Sequence, residues 1–512
     1  MPKDSGIGAS SKRREDVRFL TGEGNYTDDI NIHGQAYVYF LRSDIAHGTI
    51  ARIDTSAAEA MAGVVKVFTG ADFEALGGMP CGWQITDKHG EPMQEPKHPI
   101  IAHGKVRHVG EPVAAVVADT LEQARDAAEA IELEIAELPA VVDMKAAVTE
   151  GATKVHDDLT SNLCYDWGFV EENKAATDEA FEKAAHVTTL ELVNNRLVAN
   201  PMEPRVAVGD YARGTDDYTL YTTSQNPHVI RLLMGAFVLG IPEHKLRVVA
   251  PDVGGGFGTK IFHYQEEAFC TFAAKACNRP VKWTSSRSEA FMSDAHGRDH
   301  VSKIQLALDA DNNFTALRTE TYANMGAYLS TFAPSIPTWL HGTLMAGNYK
   351  TPLVYVNVKA VFTNTVPVDA YRGAGRPEAT FQLERVIDKA SRELGVDPVD
   401  LRRQNFITEF PYATPVAVEY DTGDYHATMD KVLELSDRAG FAARRKESEA
   451  RGKLRGFGIN CFIEACGIAP SNLVGQLGAR AGLYESATVR VNATGGLVVM
   501  TGSHSHGQGH ET

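Results

Sequence analysis

The chain is poor in cysteine and has no pair of them at metal-binding spacing. Its six, Cys81, Cys164, Cys270, Cys277, Cys461 and Cys466, form no C-x-x-C arrangement, so a structural zinc or an iron-sulfur cluster has no visible ligand set. They read as reduced, mostly buried thiols, and any iron-sulfur relay must sit on another chain. Long hydrophobic runs are missing too, so no membrane insertion is expected. Arg13 and Arg14 are followed by Glu15 and Asp16, where a secretory or twin-arginine leader needs an apolar stretch; a cytoplasmic location is the expectation. Positive charge is in deficit, with 50 Lys and Arg against 66 Asp and Glu and a formal charge of -16. Such a field repels phosphate backbones and anionic lipid, which argues against a nucleic-acid partner. No internal repeat or low-complexity tract stands out.

What remains is an ordinary globular composition, 43% hydrophobic and 23% charged over 512 residues, enough for several domains. Residues 1–148 read as a small α/β domain. Val113 to Ala118 is an unbroken apolar run suited to a buried strand, Thr120 with Gln123 is a capping box that opens a helix, and Ile131, Leu133 and Ile135 alternate as in a half-buried strand. The polar stretch 149–173 reads as a linker, 174–415 as a larger domain of mixed elements, and 416–512 as the start of another. Within the larger domain, Asn226-Pro227 opens a helix whose buried face is expected to be Leu232, Leu233, Ala236 and Phe237. Pro377 opens another, facing the core with Leu383, Val386, Ile387, Ala390 and Leu394 and ending at Gly395. Ile304, Leu306 and Leu308 alternate up to Asp311-Asn312-Asn313, a hairpin pattern continued by Phe314, Ala316 and Arg318.

Four stretches could carry chemistry. Gly254 to Lys260, GGGFGTK, follows a strand, and its glycines let backbone N–H groups approach an anionic ligand. It is not a Walker A loop, which needs glycine before the lysine, nor a Rossmann fingerprint, which needs glycine at 259 where Thr259 stands; a tight turn with no ligand is the alternative. In AYRGAGRPE, residues 370–378, Arg372 and Arg376 precede a helix start, a seat for phosphate unless both pair with surface carboxylates. In SHSHGQGHET, residues 503–512, His504, His506 and His510 bracket a glycine turn and need not converge on a metal, whereas Gln508 between Gly507 and Gly509 could donate to and accept from a heterocycle. Gln225, ahead of the capped helix, could point an amide into a pocket or be satisfied by nearby backbone. Gly110-Glu111 leads into a buried strand, and Glu111 is read as structural.

In their order and context these motifs resemble the molybdenum-binding subunits of the xanthine dehydrogenase and aldehyde oxidase family. The likeness begins with RREDVRFLTGEGNYTDDI and RSDIAHGTIARIDTSAA, runs through VGEPVAAVVADT, SQNPH, GGGFGTK, SRSEAFMSDAHGRDH, AYRGAGRPE and DPVDLRRQN, and reaches HGQGHET. It implies an α/β and α+β multidomain fold, a hammerhead-like N-terminal domain followed by two molybdenum-cofactor-binding domains, the second incomplete. It also implies a molybdenum-pterin cofactor, in the molybdopterin cytosine dinucleotide form, held with no protein side chain on the metal. By the same resemblance Gln225 hydrogen-bonds the apical oxo group, and Gly255, Gly256, Phe257 and Gly258 lie against the metal centre. Arg372, Gly373 and Ala374, and Gly507, Gln508 and Gly509, contribute the rest of the cradle.

The reaction implied is hydroxylation of an aldehyde or N-heterocycle with water as the oxygen source. Electrons would leave through a two-cluster 2Fe-2S subunit and an FAD-bearing flavin subunit, in a dimer of heterotrimers. The family's general-base glutamate belongs to a region absent here, so a fragment, a split subunit or a non-catalytic cofactor-binding chain is expected. Purine hydroxylases carry an acidic residue where Ile261 stands, which disfavours a purine. The AYRGAGR loop looks like that of form II carbon monoxide dehydrogenase large chains, the alternative function, yet Gly373 occupies the place of the cysteine found in the copper enzymes.

Overall fold

Pro112–Ala118 is buried at every position, as the unbroken PVAAVVA requires of a strand covered on both faces. In this computed structural model, which describes residues 6–468, 471–481 and 483–512, that strand pairs antiparallel with Ala36–Arg42 and Val64–Thr69. Ala36–Arg42 then pairs in parallel with Val281–Thr284, so the N-terminal strands continue into one seven-stranded sheet. Its order is Leu246–Val249, Asp217–Thr222, Val206–Ala212, Val281–Thr284, Ala36–Arg42, Pro112–Ala118, Val64–Thr69. Residues 1–5 of the first expected domain, and 469, 470 and 482 of the last, lie outside the described residues.

The helix Leu121–Glu129 starts where its capping box places it. Thr120 Oγ1 accepts the Gln123 N–H at 3.2 Å, and the Gln123 side chain returns the bond to the Thr120 N–H at 3.1 Å. Its Ala124, Ala127 and Ala128 pack on Ala114 and Val116. On the other face, the helix Gln265–Cys277 contributes Ala268, Phe269 and Ala273 to a core shared with Phe40, Phe68, Phe73 and Trp283. Gly209 permits that approach, since a Cβ there would sit 2.1 Å from the Cys270 carbonyl oxygen.

A second, five-stranded sheet runs Leu163–Phe169, Leu353–Phe362, Phe314–Gly326, His300–Leu308, His186–Asn194. The stretch expected as a linker, 149–173, therefore contains an edge strand, paired antiparallel with Leu353–Phe362. Its buried Cys164, Tyr165, Trp167 and Phe169 are short and flanked by polar residues, which masks the apolar pattern. The expected hairpin joins His300–Leu308 to Phe314–Gly326, with Asn312 in the left-handed conformation at φ 66°. The helix Arg376–Leu394 buries Leu383, Val386, Ile387 and Ala390 against this sheet, and Gly395 ends it at φ 69°.

One helical face departs from expectation. Pro227–Leu233 runs into a π-helical stretch, Met234–Leu239, and the buried residues are Ile230, Leu233, Met234 and Val238, while Ala236 and Phe237 are exposed, Phe237 by 44%. Arg231 alone interrupts the apolar run VIRLLMGAFVL, so periodicity selects a face only weakly, and the wider turn shifts the stripe. Near the end of the chain, Ala487–Val491 and Leu497–Thr501 form an exposed two-stranded hairpin that leads into residues 503–512. No helix among the described residues is long and apolar enough to cross a membrane.

Candidate functional site

Four segments remote in sequence meet around one cleft of about 1400 Å³: Gln225, the loop 250–258, the loop 370–374 and the tail 501–511. Gln225 precedes a helix whose first turn is proline, and its backbone N–H is tied to the Lys260 carbonyl at 2.8 Å. Its side-chain Oε1 accepts the Gly258 N–H at 3.0 Å. That contact explains one glycine, because a Cβ on Gly256 would lie 2.2 Å from the same Oε1. A second is explained by the neighbouring loop: at Gly258, φ 109°, a Cβ would strike the Ala370 carbonyl oxygen at 2.3 Å. Phe257 and Ala374, both cleft residues, hold left-handed backbone at φ 56° and 47°, a cost of about 1–3 kcal/mol each that clusters at ligand clamps.

The glycine loop is anchored from behind. Glu203 Oε2 accepts the Gly254 N–H at 2.7 Å and the Lys260 ammonium at 3.0 Å. Burial pushes the Lys260 ammonium's pKa down in spite of Glu203, and Lys260 does not line the cleft; it is a strut, not a phosphate ligand. The loop 370–374 is held in the same way by Arg298, whose guanidinium donates to the Tyr371 and Arg372 carbonyls at 2.9 and 2.8 Å and pairs with buried Glu378 at 2.9 Å. Sequence reading passed over Glu203 and Arg298 as roles; Arg298 sits inside SDAHGRDH, but nothing local marks its target 73 residues away.

The two arginines of that loop separate. Arg376 turns to the Gly373 carbonyl at 3.2 Å and to Glu464 at 3.3 Å, the surface-pairing alternative. Arg372 lines the cleft and its guanidinium makes no hydrogen bond or ion pair among the described residues. Gly255, Gly256, Phe257, Gly258, Gly373, Ala374, Gly507 and Gln508 line the same cleft. Gly509 does not line it; a Cβ there would lie 3.2 Å from Arg13 Nε and 3.3 Å from Glu15 Oε1. The Gln508 carboxamide folds back on His506: Oε1 accepts the His506 N–H and Nε2 donates to its Nε2, each at 2.7 Å.

The tail is clasped to the N-terminal segment. Arg18 bridges Asp252 at 2.5 Å and Glu511 at 2.6 Å, and Thr512 accepts the Arg14 N–H while donating to Glu15. Arg13, Arg18, Phe19 and Tyr26 thereby form a cleft wall; all four lie in RREDVRFLTGEGNYTDDI, the first stretch of the resemblance, to which no site role was assigned. All four carboxylates lining the cleft lie within 4 Å of an arginine: Glu15 and Asp16 beside Arg13, Asp252 and Glu511 beside Arg18. Burial lowers the pKa of both His504 and His506, the latter to about 4, so both imidazoles are neutral near pH 7. The described residues contain no group of three or more His, Cys, Asp or Glu placed to hold a metal ion. Glu111 is fully buried outside the cleft, its oxygens taken by the Arg107 N–H at 2.6 Å and the Tyr328 hydroxyl at 2.7 Å.

A glycine-walled cradle whose Cβ positions are filled by neighbouring atoms, with one unpaired guanidinium and neutral amide and imidazole donors, fits a flat heterocycle carrying phosphate. Comparison with known proteins agrees in kind. Residues 155–406 match the model of a molybdopterin cofactor-binding domain, residues 431–512 a second one, and residues 21–139 the a/b hammerhead domain of aldehyde oxidase and xanthine dehydrogenase. The chain is 33% identical to the nicotine 6-hydroxylase large subunit of Paenarthrobacter nicotinovorans over 99% of its own length and 61% of that protein's. It is 35% identical to the carbon monoxide dehydrogenase large chain of Hydrogenophaga pseudoflava, over 98% and 63% respectively. The solved quinoline 2-oxidoreductase of Pseudomonas putida 86 superposes with a TM-score of 0.92 at 35% identity, covering 100% of this chain and 64% of that one. The chain thus spans a little under two thirds of the length of these relatives.

Proposed function

The chain belongs to the xanthine dehydrogenase and aldehyde oxidase family as a molybdenum-binding large subunit, and on that premise we propose that its cleft holds a molybdenum-pterin cofactor for hydroxylation of an N-heterocycle or aldehyde. The observation that carries the reading is the convergence of Gln225, the glycine loop, the unpaired Arg372 and the 503–508 turn on one cleft. In this reading Gln225, Gly255, Gly256, Phe257 and Gly258 hold one part of the cofactor. Arg372, Gly373 and Ala374 take phosphate at the start of the helix Arg376–Leu394, and Gly507 with Gln508 closes a third side. When bound, such a cofactor supplies a two-electron acceptor and a centre that activates water.

The chain's own part is to bind, orient and exclude. Gln225 keeps an amide N–H free to donate, Arg372 neutralises phosphate, and each carboxylate lining the cleft is already held by an arginine. On the family resemblance, the base is assigned to a glutamate outside the described residues. Flavin and iron-sulfur subunits are the proposed electron partners, in a cytoplasmic dimer of heterotrimers, with the cofactor in its cytosine dinucleotide form. Two relatives are named for N-heterocycles, nicotine and quinoline, which supports that substrate class. Carbon monoxide oxidation is the second reading, favoured by the relative of that name; against it, no cysteine lines the cleft and Gly373 follows Arg372.

The test is the molybdenum, pterin and copper content of the purified intact complex, followed by anaerobic reduction with N-heterocycles, aldehydes and carbon monoxide in turn. Stoichiometric molybdenum without copper, and reduction by heterocycle or aldehyde, is the expected result. Absence of molybdenum overturns the reading, and copper with reduction by carbon monoxide alone replaces it with the second.

A further inference from the structure

We propose that His506 is a positioning residue, whose acceptor nitrogen fixes which end of the Gln225 carboxamide is left to donate into the cleft. The inference rests on the reading of Gln225 given above. The Gly258 backbone N–H can only donate, so the Gln225 atom that it meets at 3.0 Å is the oxygen. The amide nitrogen then meets His506 Nε2 at 3.1 Å, and because an amide nitrogen only donates, that ring nitrogen accepts. Gln508 reinforces the choice, since its amide nitrogen donates to the same His506 Nε2 at 2.7 Å.

Two amide donors therefore converge on one imidazole lone pair. Reversing the Gln225 amide would set N–H against N–H at Gly258 and leave an oxygen facing the His506 lone pair. With Gly256 pressed against the side chain, where a Cβ would sit 2.2 Å from Oε1, Gln225 has one orientation. One N–H of its amide group remains for a ligand in the cleft that both residues line. Outer partners that orient a contacting group in this way carry much of its effect.

The test compares Gln225→Ala, His506→Ala, His506→Gln and the double variant Gln225→Ala/His506→Ala in the intact complex. It reads molybdenum retained per chain after exhaustive gel filtration, and kcat separately from KM. His506→Ala is expected to lower retention or kcat by about 10- to 100-fold, with KM little changed. His506→Gln, which offers a carbonyl oxygen to the same N–H, is expected to recover most of that loss, and His506→Ala to add nothing once Gln225 is alanine. Equal losses in His506→Ala and His506→Gln, an undiminished effect in the Gln225→Ala background, or no effect of His506→Ala where Gln225→Ala has one, would each overturn the inference alone. A Gln225→Ala variant with full molybdenum and unchanged kcat would overturn both it and the reading of Gln225.

Discussion

Arg205 and Arg372 sit in opposite circumstances in the same molecule. Arg205 is 3% exposed, bonds Asp294 at 2.6 Å and Glu266 at 2.7 Å, and stacks over the Tyr264 ring at 3.6 Å. Glu266 is shared with Arg42 at 2.7 Å; burial alone would raise its pKa, yet the two guanidiniums hold it near 2. In the cleft, Arg372 has its backbone locked by Arg298 and its guanidinium left without a partner among the described residues. Where the chain satisfies its own buried charges, they belong to the fold; where it fixes the backbone and leaves an exposed charge open, that charge is available to a ligand. Glu111 likewise is satisfied inside the fold.

Ways to break this contrast follow in order of size. Arg205→Met strands Asp294 in the interior and leaves Glu266 to Arg42 alone, and should lower stability by about 3–5 kcal/mol, read as a fall in the unfolding midpoint; an unchanged midpoint would deny the network its structural role. Arg372→Ala should leave that midpoint where it is and lower cofactor retention by about 10- to 100-fold, the worth of a bond to a charged group. A loss of folding instead of cofactor would erase the distinction between the two arginines. Glu111→Gln turns an amide towards the Arg107 N–H or the Tyr328 hydroxyl and should cost about 1–3 kcal/mol while retaining molybdenum, since Glu111 lies outside the cleft.

A further effect is graded with pH. Burial holds His300 and His341 each at about 3, below the unfolded value, so the unfolded chain binds protons first as acid is added. Their contribution is complete above about pH 6.5 and is lost as pH falls towards 3, by up to about 1.4 kcal/mol per histidine per pH unit. Urea midpoints should therefore decline between pH 7 and 5; a flat profile would contradict neutral burial.

Local features were legible from sequence because their causes are local. Thr120 with Gln123, Asn312 in its hairpin and Gly395 at a helix end each act within a few residues. Non-local pairing was not: nothing near Ala36 announces Val281 as its neighbour, so the continuation of the N-terminal strands into one larger sheet could not be read. The buried face from Pro227 to Leu239 was misjudged because the stretch after Arg231 has no polar residue to orient it and turns π-helical at Met234. At the site, Gln225, the glycine loop and Arg372 could be named as motifs, but their meeting in one cleft was implied by resemblance and not by spacing. Glu203 and Arg298, which hold the two loops in place, act across 57 and 73 residues, beyond any local pattern. Gln508 was expected to face a heterocycle, whereas its amide is largely spent on His506.

The central claim is that these loops cradle a molybdenum cofactor. Anomalous diffraction at the molybdenum absorption edge, from crystals of the intact complex, tests it most directly. The account predicts an anomalous peak inside the cleft bounded by Gln225, residues 255–258, Arg372 and residues 507–508. Such a peak elsewhere in the chain, or none in crystals whose protein contains molybdenum, would contradict it.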